Sequence, residues 1–225
     1  MHRNLVLVQP YFTLISKTRY FLLPWLAFIA VAGLVLSVYS VSEIHLAINS
    51  HNNAFLDFIM PYVTLGADGW TIVVACLLMI AWHRRAGLFI SIACLLTSSI
   101  IWLLKSTIYF GTPRPKWYFT NVEKFNLHYV PGVDNLLYDS FPSGHTTVGF
   151  AFFFALALCT RHRKLSALFF VCALAVGYSR IYLSQHFLLD VFFGSIIGTT
   201  GTLIVFAEAT RFKWITLPVI KRENE

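Results

Sequence analysis

Apolar runs long enough to cross a lipid bilayer recur along this chain, and they constrain its fold more than any other feature. A spanning helix needs about 20 apolar residues. Six such runs are read near 20–42, 61–83, 87–110, 143–160, 165–185 and 186–208. In hydrocarbon a segment must satisfy its own backbone N–H and C=O groups, so runs of this kind fold as helices. The expected fold is all-α: a polytopic membrane protein built as a six-transmembrane-helix bundle. Only 12% of the 225 residues are charged, about half the share found in soluble domains. No repeat or long linker interrupts the chain, so residues 1–225 are expected to form a single integral-membrane domain.

The second run is the weakest. Its core, "TIVVACLLMIAW", is short and borrows from "PYVTLGADGW", which puts Asp68 near one interface as a plain interfacial acid. Residues 43–60 alternate apolar and polar side chains, the pattern of an amphipathic segment lying on the surface. Cys76, Cys94, Cys159 and Cys172 sit inside apolar runs without C-x-x-C spacing and read as small core residues.

Basic residues set the expected orientation. With six spans, Arg3, Lys17, Arg19, Arg84, Arg85, Arg161, Arg163, Lys164, Arg211, Lys213, Lys221 and Arg222 all fall on one side. The positive-inside rule makes that side, and both termini, cytoplasmic. Lys105, Arg114, Lys116, Lys124 and Arg180 fall on the opposite side. The net charge of +7 thus reads as membrane anchoring and gives no reason to expect a nucleic-acid partner.

Three polar stretches stand at the outer ends of the runs, where a bundle would gather them on one face. Ionisable groups there are functional-site candidates. In "YSRIYLSQHFLLD", His186 and Asp190 are one helical turn apart, so they share a face. They read either as a helix-surface ion pair or as an imidazole whose tautomer a carboxylate fixes for attack. Arg180 would lie about 120° from His186 on one continuous helix, but Ser184 and Gln185 suggest a tight turn that aims both into one cleft. In "FPSGHTT", Ser143 is a good N-cap and Gly144 allows close backbone approach. The N–H groups of that helix start would favour an anion beside His145; a cap and an interfacial histidine would look the same. In "KSTIYFGTPRP", Lys105 either snorkels to the interface or joins the site, and Gly111 and Pro113 let Arg114 fold back towards it. Together these stretches supply three cations, a helix N-terminus, two histidines and one carboxylate. That inventory suits phosphoryl transfer with one histidine as nucleophile and another as acid. There is no H-E-x-x-H and no carboxylate cluster to suggest a metal.

These stretches resemble the signature of the type 2 phosphatidic acid phosphatase (PAP2) superfamily, written K-x6-R-P, P-S-G-H and S-R-x5-H-x3-D. The second block stands unchanged at 142–145 and the third from Ser179 to Asp190. The first departs, with eight residues instead of six between Lys105 and Arg114. The resemblance implies that His186 is the nucleophile, Asp190 its partner and His145 the acid. It implies that Lys105, Arg114, Ser143, Gly144 and Arg180 hold the phosphate, and that the enzyme works without a metal or other cofactor. The implied function is a lipid phosphate phosphatase, with the bilayer and a lipid phosphate as partners; the basic-residue distribution puts the expected active site on the periplasmic or extracellular side, and the small size suits a bacterial inner membrane. Candidate substrates are undecaprenyl diphosphate, phosphatidylglycerophosphate, phosphatidate and the lipid A phosphates. A transferase of the same superfamily and a non-catalytic lipid-phosphate binder are the alternatives. The loop 116–141 is expected to shape access, with Trp117, Tyr118 and Phe119 at the interface.

Overall fold

A computed structural model of the chain describes residues 3–160 and 162–212, with side chains from residue 18 onward. Four helices are long and apolar enough to cross a membrane: α1 (Arg3–Val38, apolar over Thr18–Val38), α5 (Arg84–Thr107), α8 (Arg163–Tyr182) and α9 (Leu188–Arg211). A one-turn helix, α6 (Pro115–Tyr118), and a π-helical turn (Phe119–Glu123) open the long connection after α5, and no strand occurs among the described residues.

The second expected span is corrected. It is two helices, α3 (Ala54–Leu65) and α4 (Gly69–Trp82), bent by 52° at their junction. Capping explains the break. The Asn53 side chain accepts from Leu56 N to start α3, and the Asp68 side chain accepts from Trp70 N to start α4. Each side chain satisfies a donor that a helix start leaves orphaned. The fourth expected span is α7 (Gly144–Cys159), apolar but only 16 residues long. At 1.5 Å per residue it covers about 24 Å of a hydrocarbon core about 30 Å thick.

Residues 43–60 do not form one surface segment. They divide between α2 (Val41–Asn49) and the first half of α3. Ser40 opens α2 with a capping box: its side chain accepts from Glu43 N while the Glu43 carboxylate accepts from Ser40 N. α2 buries Ile44, His45 and Asn49 instead of lying free.

α7 stands at the centre, packed against α5, α8 and α9. Lipid-embedded helices gain little from hydrophobic burial against each other, so close packing through small residues must hold them. The α7–α9 contact depends on this. A Cβ at Gly198 would lie 2.3 Å from the Thr147 carbonyl oxygen, and one at Gly194 2.9 Å from that of Ser143. These two glycines bring the backbone of α9, which carries Asp190, against the start of α7, which carries His145. On the far side of α7, Phe21, Phe150, Phe154 and Phe170 form an aromatic core between α1, α7 and α8.

The Arg163 guanidinium lies 5.8 Å from the Tyr20 ring, so the start of α8 lies beside the middle of α1, where its apolar stretch begins. The three signature stretches gather at the other end of α8. Arg161, Lys213, Lys221 and Arg222, used in the orientation argument, lie outside the described residues, as do the side chains of Arg3 and Lys17.

Candidate active site

The turn between α8 and α9 makes the first half of the site. α8 ends at Tyr182, and Ser184 adopts φ +53°, a left-handed conformation that reverses the chain. Both Gln185 N and His186 N then donate to the Arg180 carbonyl oxygen. This is the tight turn expected from Ser184 and Gln185, and it brings His186 back beside Arg180. An aromatic cushion supports it: Phe187 packs on Phe119, Tyr118 and His45. The expectation for Phe119 is corrected here, since it is fully buried and not at an interface.

His186 and Asp190 meet as their spacing requires, with Nδ1 3.3 Å from Asp190 Oδ2. The pair is buried, the side chains 2% and 4% exposed. Asp190 Oδ2 also accepts from Ser140 Oγ at 2.5 Å and from Phe187 N at 2.9 Å, so the carboxylate is fixed before it orients the imidazole. His186 Nε2 makes no hydrogen bond to the described residues. Burial, followed by the fields of Arg114, Arg180 and Lys105, pushes the His186 pKa well below its ordinary value. The ring is thereby held neutral, the form that can attack.

The first block converges despite its two extra residues. α5 ends at Thr107, and the chain turns through Gly111 at φ +72°, so the insertion is absorbed in a loop. Lys105 Nζ donates to the Asp139 carbonyl oxygen at 2.8 Å, and Arg114 Nη2 to the same oxygen at 3.3 Å. Arg114 is further fixed by Tyr138 O, Gln185 O and Gln185 Oε1. Arg180 is anchored through Thr64 Oγ1 at 2.7 Å, and its buried Nε has no hydrogen-bond partner among the described residues.

Ser143 is the N-cap of α7, as expected, accepting from Thr146 N and Thr146 Oγ1. Its own N–H donates to the Asp190 carbonyl oxygen, which joins the second and third blocks directly. Gly144 and His145 follow at the first turn of α7. His145 Nε2 lies 3.8 Å from Asp68 Oδ1, so Asp68 is a neighbour of the site and not the plain interfacial acid expected.

All eight residues named from the sequence therefore converge. Sequence reasoning missed Thr64, Asp139 and Ser140; it placed Gln185 in the turn without its contact to Arg114, and it read Asp68 as an interfacial acid. Asp139 has φ +60°, and its side chain accepts from Gly111 N, so its carbonyl is presented to both cations from a locked loop. Among the described residues no group of three or more His, Cys, Asp or Glu could hold a metal ion.

One further feature adjoins the site. An apolar groove of about 550 Å³ runs between α4 and α5, from Gly69 and Trp102 at one end to Ile80 and Ser91 at the other. Along α4 that is roughly 16 Å of rise. Gly144 and His145 of α7 also line it.

Comparison with known proteins matches this arrangement. The model of the PAP2 superfamily covers residues 86–214, more than half of the chain and all three signature blocks. The chain belongs to the PAP2 superfamily. It is 31% identical over 155 residues to undecaprenyl-diphosphatase BcrC of Bacillus subtilis, covering 66% of this chain and 72% of that one. It is 35% identical over 108 residues to a lipid A 1-phosphatase of Rhizobium johnstonii, covering 47% of this chain and 41% of that one. The match spans only 41–43% of the length of three such curated relatives. The crystal structure of Aquifex aeolicus LpxE superposes with a TM-score of 0.64 at 25% identity, over 73% of this chain and 93% of that one. With its apolar helices, this PAP2 protein is an integral membrane protein of all-α fold.

Proposed function

We propose that this PAP2 protein hydrolyses a lipid phosphate at the outer face of the membrane through a phosphohistidine on His186. The observation that carries this reading is the junction of a cationic pocket with an apolar groove at His145. An amphiphile placed with its chain between α4 and α5 would have its phosphate among Lys105, Arg114 and Arg180. His186 Nε2 attacks phosphorus. His145 protonates the leaving oxygen and then activates the water that breaks the P–N bond. The cations and the α7 N-terminus stabilise the oxygens of the five-coordinate state. Lys105, Arg114 and Arg180 supply the positive charge, so no metal is required.

Undecaprenyl diphosphate is the favoured substrate, because the relative of that activity is matched over most of both chains. A lipid A phosphate is the second reading, supported by the shorter match to a lipid A 1-phosphatase. The test is phosphate release by the purified protein in detergent, with excess EDTA and no acceptor, across a panel of defined lipid phosphates. Undecaprenyl diphosphate should give the highest kcat/KM. Turnover that appears only with an acceptor would make the protein a transferase, and no turnover on any substrate would leave a lipid-phosphate binder. Rescue of an EDTA-treated sample by Mg²⁺ or Zn²⁺ would overturn the metal-free mechanism.

A further inference from the structure

We propose that Asp68 is the positioning carboxylate of His145, a counterpart at the acid to Asp190 at the nucleophile. The inference rests on the phosphatase reading above. A general acid must be present as imidazolium when the leaving oxygen needs a proton. The charged groups around His145 are Arg180, Arg114, Lys105 and Asp68. Three of these are cations, and each opposes the protonated ring. Asp190 is turned to the other histidine: its Oδ2 meets Ser140, Phe187 N and His186 Nδ1, and it is not among the charged groups beside His145. Asp68 is the carboxylate left to balance the charge.

Its geometry suits that task. Asp68 Oδ2 accepts from Trp70 N at 3.1 Å, and this cap holds the side chain still at the start of α4. Oδ1 is then presented to His145 Nε2 at 3.8 Å, close enough for an ion pair. His145 Nδ1 makes no hydrogen bond to the described residues and remains for the substrate. The 52° break between α3 and α4 serves the same end, because it is where the chain must turn for Asp68 to face α7.

The two oxygens allow the cap and the charge to be separated. Asp68→Asn keeps an N-cap acceptor of equal quality and removes the charge. The pair is about one-third exposed, so solvent weakens it, and the expected loss is roughly 3- to 10-fold in kcat on a lipid phosphate monoester, with KM nearly unchanged. A leaving group that needs no proton should bypass the defect, so the burst of p-nitrophenol from p-nitrophenyl phosphate should keep its wild-type rate. In a His145→Ala background Asp68→Asn should have no further effect. Asp68→Glu, which keeps the charge, should recover part of the kcat. An unchanged kcat in Asp68→Asn, or an equal loss with and without His145, would reduce Asp68 to a helix cap. If His145→Ala itself leaves lipid turnover intact, the phosphatase mechanism fails instead.

Discussion

Three histidine–aspartate pairs stand at the same end of this molecule, and two of them, His186–Asp190 and His128–Asp57, differ most in burial and surroundings. His186 and Asp190 meet at 3.3 Å with their side chains almost fully buried. His128 and Asp57 meet at 3.0 Å with 33% and 22% of their side chains exposed. In the first pair Nε2 makes no hydrogen bond to the described residues, and Arg114, Arg180 and Lys105 surround the ring. In the second, Asp57 also accepts from Tyr182 Oη at 2.5 Å, and the His128 backbone is bonded in both directions to the Asn49 side chain. The first pair lies among three cations, whereas the second ties the 119–141 loop to α2, α3 and α8. On the proposed function, burial and the company of each pair, more than the distance between its members, separate a catalytic pair from one that fastens a loop.

The sharpest way to break that contrast is to remove each histidine. His186→Ala should abolish turnover, with no covalent intermediate, while His128→Ala should leave most of kcat. His145→Ala should slow turnover by roughly the 10²–10⁴-fold typical of general acid–base catalysis. With p-nitrophenyl phosphate, however, it should still phosphorylate His186 and accumulate acid-labile, base-stable label, because water is poorly activated. Label on His186→Ala protein, or none on His145→Ala, would reassign the roles.

Asp190→Asn comes next in size. It keeps the shape of the side chain but loses the charge that faces Nδ1 and weakens the acceptor held by Ser140 and Phe187 N. A mis-set tautomer and a drifting ring should lower kcat by about 10²- to 10³-fold while KM changes little. Asp57→Asn should not change kcat by more than a few-fold. If the two substitutions cost the same, burial is not what separates the pairs.

Much of this site was legible in the sequence because its parts are local. His186 and Asp190 are one turn apart, Ser143 stands directly before its helix, and Ser184 and Gln185 sit within the turn they form. What could not be read depends on distant segments meeting. Asp68 reaches His145 only because α3 and α4 break at its cap, and a hydropathy window averages that break away. Asp139 matters through its carbonyl, which residue type does not reveal. Some misread signals were nonetheless present. The S-x-x-E of Ser40 and Glu43 marks the start of α2, and Asn53 marks the start of α3, although the alternation over 43–60 suggested one surface segment.

Acid should act on stability through the buried histidines. Burial pushes the His45 pKa down to about 4, and burial and neighbouring cations lower that of His186 as well. In the unfolded chain each would titrate near 6.5. The folded state therefore resists protons that the unfolded state binds. Its stability is complete above about pH 6.5 and is lost as pH falls from there towards 4. For His45 alone the loss is about 2 kcal/mol at pH 5. Thermal unfolding in detergent should show a lower Tm at pH 5 than at pH 7.5, and His45→Phe should reduce the difference. An equal difference in that variant would mean that other groups carry the acid sensitivity.

The smallest expected effect belongs to the exposed pair, and it bears on how the 119–141 loop works. His128 does not hold the loop alone. The Asn49 side chain donates to His128 O at 2.8 Å and accepts from His128 N at 2.9 Å, so the backbone stays fastened when the ring is removed. The ring contributes a partly exposed, charge-assisted contact to Asp57, worth about 0.2–1 kcal/mol. His128→Ala should therefore lower stability by that amount, shift KM for a lipid substrate by a few-fold and spare kcat. Asn49→Ala removes both backbone bonds at once and should cost more, with a larger rise in KM, because Gln185, which contacts Arg114, also bonds this loop at Asp134 O and Asn135 Oδ1. If Asn49→Ala leaves KM unchanged, the loop plays no part in substrate access and its fastening is structural alone.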